Sequence, residues 1–234
     1  MSAIPISNDA ELKKLFDRLV TDIIEAGGYA RLHHHFRQAF PAYKKETDQT
    51  PAFWNFTEKA VREASLIRLA RIYDQDARAL SLWTLLHTIG RHPGFFDDDP
   101  VLRRVSAAYA EEFTPGSHAI DLGRLDDDIK LVSASDPLVR KLVVWRSNFG
   151  AHLSTTPILE GGITAIPSLT WDDVSTLVDR AFRIYNHYLS AFEGASWSTK
   201  IIGEEGYDFL FQLLRLGLTK FEEDIVEATE IDRV

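Results

Sequence analysis

The feature that most constrains the fold of this chain is the spacing of its apolar residues, which recur every three or four positions over long stretches. The clearest case lies within residues 52–75, where the side chains expected to face the core are Phe53, Phe56, Ala60, Ala64, Ile67 and Ala70. A helix turns about 100° per residue, so this spacing gathers them on one face. No segment alternates with a period of two, and no repeat is visible. The sequence therefore predicts an all-α protein, a helical bundle with additional peripheral helices.

Composition narrows the class of protein. The chain has 234 residues, 45% of them hydrophobic, which is enough to bury a core without disulfides. It contains no cysteine, so disulfides, thiol nucleophiles and cysteine metal sites are excluded. No signal peptide is apparent, and no apolar run approaches the ~20 residues that span a bilayer. We therefore expect a single domain over residues 1–234 of a soluble cytoplasmic protein with no membrane partner.

The net charge of −9 argues against tight, extended binding to nucleic acid. The charge is unevenly distributed, however. Residues 193–234 contain ten acidic side chains against four Lys/Arg, whereas residues 136–153 contain one against three. The negative net charge of the chain therefore does not exclude a small basic pocket formed by residues 136–153.

Start and stop signals predict most helix boundaries. A first helix is expected from about Asn8 to Ala26, where Gly27-Gly28 should end or loosen it, and a second piece should run from Tyr29 to Phe40. Further helices are expected at about 52–75, 79–89, 101–113, 120–133, 136–153 and 170–192, and from 207 onward. Residues 155–169, with two prolines and Gly161-Gly162, indicate a loop or a short β-hairpin.

The helix predicted from Asp136 to Leu153 has one charge out of place. Asp136 is a suitable N-cap, and Pro137 fits the first turn. A broad apolar arc is expected to pack inward and contains Leu138, Val139, Leu142, Val143, Trp145, Phe149 and Leu153. Arg146 falls near the middle of this arc. An arginine is almost never buried without a partner, so it must meet a carboxylate, line a cleft or face a second subunit.

Several common catalytic and metal-binding patterns are absent. The three consecutive histidines His33, His34 and His35 point to different sides of a helix and cannot converge on one metal ion. No Glu-x-x-His pair, His-Glu-x-x-His motif, phosphate-binding loop or nucleophile elbow is present. The sequence thus predicts no metal site and no cofactor.

The pair that remains is Arg146 and His152. A separation of six positions rotates a straight helix by roughly 240°, so the two side chains meet only if the helix breaks at Gly150 or if two copies pair across a two-fold axis. Chemically, the pair suits RNA cleavage through the ribose 2′-hydroxyl. Histidine can move the proton, and the guanidinium can hold the phosphate and its developing charge.

The spacing Arg146-x5-His152 near the end of an apolar helix resembles the Arg-x4–6-His signature of the HEPN superfamily. Other blocks resemble its AbiU2-like branch, namely Leu69-Ala-Arg-Ile-Tyr-Asp74, Ala79-Leu-Ser-Leu and Val139-Arg-Lys-Leu. The similarity covers approximately residues 52–192, which would be the HEPN-like core. The N-terminal helices and the acidic C-terminal helix would then pack on that core.

This resemblance implies a homodimer with the motif at its interface and endoribonuclease activity that needs no metal, often in toxin or phage-defence (abortive infection) systems. It implies RNA as substrate and an antitoxin or other protein partner. Arg146 and His152 match the signature as catalytic residues. The position after the arginine is commonly Asn, Asp or His, but here it is Ser147, with Asn148 one place later as a supporting group. Asp74, in a matching block, is a further supporting residue and the first candidate for a carboxylate partner of Arg146.

Alternative interpretations remain open. Arg146 could have a structural ion pair with Asp74, and His152 could satisfy carbonyls at a helix end. Asp74 could be the cap of the following helix. HEPN domains also include inactive members, so the second hypothesis is a non-catalytic helical module that binds a protein partner or a nucleotide. A small-molecule pocket in the bundle is a third.

Overall fold

The computed structural model describes residues 3–97, 120–147, 169–198 and 206–231. Over these ranges the chain forms helices and no strand, which confirms the predicted all-α class. Their bounds are α1 Asp9–Ala42, α2 Lys44–Thr47, α3 Pro51–Ile72, α4 Leu82–Arg91, the 3-10 helix η1 Pro93–Phe96, α5 Leu122–Val132, α6 Pro137–Trp145, α7 Trp171–Glu193 and α8 Tyr207–Ile231.

Residues 101–113 and the loop predicted at 155–169, apart from Leu169, lie outside the described ranges. Among the residues that are described, no helix is long and apolar enough to cross a membrane.

The predicted helix break at Gly27-Gly28 is wrong. Helix α1 passes through both glycines and ends at Ala42. Each glycine costs about 1 kcal/mol relative to alanine in a helix interior. Ala26 and Ala30, on either side of the pair, are buried at 1% and 3% exposure. Packing of this stretch therefore offsets the weak helix propensity, which local sequence alone does not reveal.

Helix α3 is present as predicted, but of the six residues expected to face the core only Ala70 is buried. Phe53, Phe56 and Ile67 are 59%, 73% and 44% exposed. The buried side chains on this helix are Trp54, Val61, Ser65, Leu66, Leu69, Ala70 and Ile72. Both sets recur at helical spacing, so periodicity cannot choose between them. The buried set holds more of the large aliphatic residues, which gain most from leaving water.

Helix capping follows the sequence signals closely. Asn8 Oδ1 accepts from the Glu11 amide at 2.9 Å at the start of α1. Thr170 and Asp173 form a capping box at the start of α7, and the helix ends at Gly194 with a left-handed φ of 63°. That conformation favours glycine because it has no Cβ.

The chain divides into two compact units. The first comprises Met1–Gly27 and Ala64–Thr199. Its core joins α1 and α7 through Phe16, whose ring lies edge-on to Tyr185 at 5.5 Å between centroids. The Tyr185 hydroxyl donates to the Phe16 carbonyl at 3.0 Å. The Tyr73 hydroxyl at the end of α3 donates to the Leu177 carbonyl of α7 at 2.7 Å.

The second unit comprises Gly28–Glu63 and Lys200–Val234. Its core is an aromatic cluster in which Phe211 of α8 is fully buried against Tyr43 and Trp54. Arg215 reinforces this packing, because its Nε lies 2.6 Å from Glu46 Oε1 and its guanidinium covers the Tyr43 ring at 4.3 Å. This ion pair holds the pKa of Glu46 below its ordinary value.

Candidate active site

Helix α6 is fixed at its first turn by Asp136. The Asp136 Oδ1 accepts from the amides of Leu138 and Val139 at 2.9 and 3.0 Å, as the predicted cap requires. Arg180 of α7 lies 3.0 Å from the same oxygen. Burial opposes ionisation of Asp136, but the Val139 amide, Arg180 and the Leu138 amide outweigh it, so its pKa lies below the ordinary value.

A second ion pair joins the middle of α6 to α7. Lys141 Nζ lies 3.2 Å from Asp173 Oδ2. The same Asp173 oxygen accepts from the Thr170 amide at 3.0 Å, so one carboxylate serves both the cap and the ion pair. Its pKa also lies below the ordinary value, because the Thr170 amide and Lys141 outweigh the effect of burial. Two charged contacts therefore set the direction of α6 before its last turn.

The apolar arc of α6 is buried in part. Val139 and Leu142 are fully buried, whereas Leu138, Val143 and Trp145 are partly exposed. Arg140 and Ser147 are exposed. The helix thus lies against the core with one narrow stripe and leaves its C-terminal end partly open to solvent.

Arg146 meets a carboxylate at this end. Its Nη1 lies 2.7 Å from Asp74 Oδ2, the partner named from the sequence. The Asp74 side chain is 11% exposed, while that of Arg146 is 41% exposed. Arg146 and Ser147 continue α6 in a wider, π-type turn, a feature frequent at functional sites. The Arg146 side chain is therefore anchored through its guanidinium and remains 41% exposed.

Asp74 is held by the segment that follows α3. Its Oδ1 accepts from the Asp76 amide at 3.0 Å, and its carbonyl accepts from the Ser81 hydroxyl at 2.8 Å. The cap of α4 is Ser81, which forms a capping box with Thr84. The interpretation of Asp74 as the cap of that helix is therefore wrong, because its carboxylate is directed to Arg146.

Gln75 ties the same segment to the region before α6. Its amide nitrogen donates to the carbonyls of Tyr73 and Val132 at 2.7 and 3.0 Å. Its amide oxygen accepts from the Ala134 amide at 3.1 Å. One side chain thus bonds to both segments that lead to the site, and sequence reasoning missed it. A polar residue directly after the matched Tyr73-Asp74 block was the available signal.

A second charged pair, which was also not predicted from the sequence, lies beside Asp74. Arg78 Nη2 is 2.7 Å from Asp76 Oδ2, and the Arg78 amide donates to Asp76 Oδ1 at 2.9 Å. The pKa of Asp76 lies far below its ordinary value, mainly through the Arg78 side chain, with a smaller contribution from the charge of Arg146. Two ion pairs, Asp74–Arg146 and Asp76–Arg78, therefore involve neighbouring positions of this segment.

The three consecutive histidines diverge, as predicted. His33 Nε2 lies 2.9 Å from Glu58, His34 Nε2 lies 2.8 Å from Gln38 Nε2, and His35 Nε2 lies 3.1 Å from Asp208. Within the part of the chain that the structure describes, no three His, Asp or Glu side chains are grouped as metal ligands.

Comparison with models of known protein families identifies the family of this chain. A HEPN family model described as AbiU2 matches residues 9–209, well over half of the chain. The chain belongs to the AbiU2 family of HEPN proteins. Searches of curated proteins and of solved structures returned no match.

The AbiU2 match extends beyond the stretch in which the resemblance was recognised, since it also includes α1 and the first residues of α8. It contains Asp74, Arg146 and the segment with Asn148 and His152. Those last two residues lie outside the described ranges. Their convergence with Arg146 therefore stays a prediction for this AbiU2 protein.

Proposed function

We propose that this AbiU2-family protein is an endoribonuclease of HEPN type, acting in a toxin or phage-defence system as a homodimer. The observation that supports it most is Arg146, because a carboxylate orients its guanidinium while 41% of the side chain stays exposed. An arginine with a purely structural role would be buried by the surrounding protein. A guanidinium has five N–H donors, so a contact to one carboxylate oxygen leaves capacity for a phosphate.

The proposed reaction uses the RNA's own 2′-hydroxyl as nucleophile. His152 takes the 2′ proton, the 2′ oxygen attacks phosphorus, and the bond to the 5′ oxygen breaks as that oxygen takes a proton from water. The products are a 2′,3′-cyclic phosphate and a 5′-hydroxyl. Arg146 binds the phosphate and stabilises the charge that develops on it. Asn148 and Ser147 are the polar groups assigned to support the site.

The test is cleavage of single-stranded RNA in the presence of EDTA. We expect Arg146→Ala and His152→Ala each to lower the rate by roughly 100-fold or more. Arg140→Ala is a matched control, since Arg140 lies on the exposed side of the same helix. Both site variants cleaving at the parent rate would refute the assignment. Complete loss of activity in EDTA would refute the mechanism.

A second candidate is a non-catalytic module that binds a protein partner, such as an antitoxin, or a nucleotide. Ser147 favours it, because that position is commonly Asn, Asp or His in HEPN signatures. Under this hypothesis the purified protein binds its partner without cutting RNA, and Arg146→Ala lowers the free energy of unfolding rather than a reaction rate. Measuring both quantities on the same variant separates the two functions.

A further inference from the structure

A cavity of about 390 Å³ lies in the second unit, where the chain passes from α1 through α2 into α3. The residues that line it fall between Arg37 and Asn55, so no residue of the Arg146 site contributes to it. Small-molecule sites usually have volumes of roughly 300–1,000 Å³. This cavity therefore has room for one small ligand, and the chemistry of its lining indicates the class of that ligand.

One wall of the cavity is aromatic. Trp54 of α3 lines it and is only 7% exposed. The rings that pack around Trp54, at centroid distances of 5.0 to 6.1 Å, are those of Phe36, Phe40, Phe53 and Phe211. Phe40 also lines the cavity and is partly exposed. A wall held by other rings needs little reorganisation when a planar apolar group packs against it.

Trp54 also brings a hydrogen-bond donor to this wall. An indole N–H can only donate, and a buried tryptophan usually has a partner for it. Within the part of the chain that the structure describes, the Trp54 N–H bonds to no other residue and is not sealed from solvent. Asn55, the next residue, adds an amide to the lining. Donors are therefore present for the oxygen atoms of a ligand.

The charged side chains of the lining leave one cation without compensation. Lys44 pairs with Asp48 four residues later, and both line the cavity. Arg37 is exposed and forms no ion pair with any residue that the structure describes. Two cations and one carboxylate give the lining a net charge of +1, in a chain whose net charge is −9. The Arg37 guanidinium has a planar set of donors that matches the oxygens of a carboxylate or a phosphate.

We propose that this cavity binds a small organic anion that carries a planar apolar group. The planar group packs against Phe40 and Trp54, and the acidic group pairs with Arg37. An anion without a ring would leave the aromatic wall unused, and an uncharged ring would leave the guanidinium without a partner. A phosphate and a carboxylate both fit the guanidinium, so the experiment must distinguish them. The site is separate from the Arg146 site, and the proposal does not depend on RNA cleavage.

Isothermal titration calorimetry of the full chain with four probes tests the ligand class. Indole-3-acetate combines a ring with a carboxylate, and phenyl phosphate combines a ring with a phosphate. Inorganic phosphate and indole each supply one of the two features. We expect at least one ring-bearing anion to bind at a single site, roughly tenfold or more tightly than either inorganic phosphate or indole.

The tighter of the two ring-bearing anions identifies the acidic group that the cavity prefers. Tighter binding of phenyl phosphate assigns it to phosphorylated ligands, and tighter binding of indole-3-acetate assigns it to carboxylates. Absence of binding by both at millimolar concentration would overturn the proposal. So would inorganic phosphate or indole binding as tightly as the ring-bearing anions.

Arg37→Ala tests where these anions bind. Because Arg37 is exposed, its loss leaves the packed core intact, and the affinity should fall roughly tenfold or more with the loss of a charged hydrogen bond. Arg37→Lys keeps the charge without the planar donors and should lose less. Arg62→Ala is the matched control, since Arg62 is an exposed arginine of α3 outside the lining, and should bind as the parent does. Parent affinity in Arg37→Ala, or equal losses in Arg37→Ala and Arg62→Ala, would refute the site.

Discussion

Arg146 differs from an ordinary surface arginine because a carboxylate fixes its direction. The Asp74 carboxylate accepts from the Asp76 amide, and the Ser81 hydroxyl donates to the main-chain carbonyl of Asp74. These two bonds hold the residue that orients the guanidinium. Lysine at this position would keep the charge but lose the planar array of donors that matches a phosphate.

The first prediction concerns Asp74 as a positioning residue. Asp74→Asn retains the side-chain size but removes the negative charge that holds Arg146 Nη1 at 2.7 Å. We expect kcat for RNA cleavage to fall on the order of 100-fold, since small displacements of a catalytic group have effects of that size. KM should change less, and Asp74→Glu should recover part of kcat.

The matched control is Asp76→Asn, two residues away in the same segment. Asp76 pairs with Arg78 rather than with Arg146, so the rate of cleavage should stay near that of the parent. Equal losses in both variants would mean that the segment, rather than the Asp74–Arg146 contact, governs the rate.

At this scale the sequence identified Arg146 and its carboxylate partner but not Gln75, Asp76 or Arg78. A charge in the middle of an apolar arc requires compensation, which made Arg146 conspicuous. Polar residues in a turn, such as Gln75, Asp76 and Arg78, are compatible with many different hydrogen-bond partners. Their roles depend on which distant carbonyls, such as that of Val132, the fold brings within reach.

At the scale of elements, α6 is held in place by contacts near its start and at its middle. The second prediction tests the Asp136–Arg180 contact. Asp136→Asn keeps a capping side chain but removes the charge, and the free energy of unfolding at pH 7 should fall by roughly 1.5–3 kcal/mol. Urea unfolding of parent and variant measures this difference.

The Asp136–Arg180 pair makes the free energy of unfolding depend on pH, with a defined sign. The pKa of Asp136 is lowered from 3.8 in the folded protein, so its ionised form stabilises the fold fully above about pH 4. That contribution is lost as the pH falls through the lowered pKa. The stability difference between parent and Asp136→Asn should therefore shrink below pH 3.8. A difference that grows on acidification would contradict the ion-pair account.

Helix ends were more predictable than helix faces. Asp136, Thr170 and Gly194 act through bonds or dihedral angles within a few residues, so local sequence is sufficient to identify them. The buried side of α3 and the continuation of α1 through Gly27-Gly28 depend on packing against distant segments. Periodicity indicated that α3 is a helix, but only the surrounding fold decides which of its two apolar stripes is buried.

At the scale of the whole molecule, the third prediction asks whether one site takes residues from two chains. Arg146 and His152 lie roughly 240° apart on a straight helix, so a site with both residues requires a helix break at Gly150 or a second protomer. The prediction takes the second case. Mixing inactive Arg146→Ala with inactive His152→Ala should then restore RNA cleavage, because one site of each heterodimer has both residues. Cleavage rates before and after subunit exchange provide the measurement.

The control mixes Arg146→Ala with the double variant Arg146→Ala/His152→Ala, which cannot rebuild a complete site and should remain inactive. Exchange itself is verified by tagging one chain. If exchange occurs and activity stays absent in the first mixture, both residues of a site come from the same chain.

The ion pair between Asp74 and Arg146 also has a consequence for the evolution of the sequence. The two positions are 72 residues apart in sequence, yet each carries a charge that the other neutralises at 2.7 Å. A mutation at one leaves its counterpart without compensation, so selection acts on them as a single unit. Across the genomes that encode AbiU2 proteins, these two alignment columns are therefore expected to covary, with joint replacement more frequent than replacement of either residue alone.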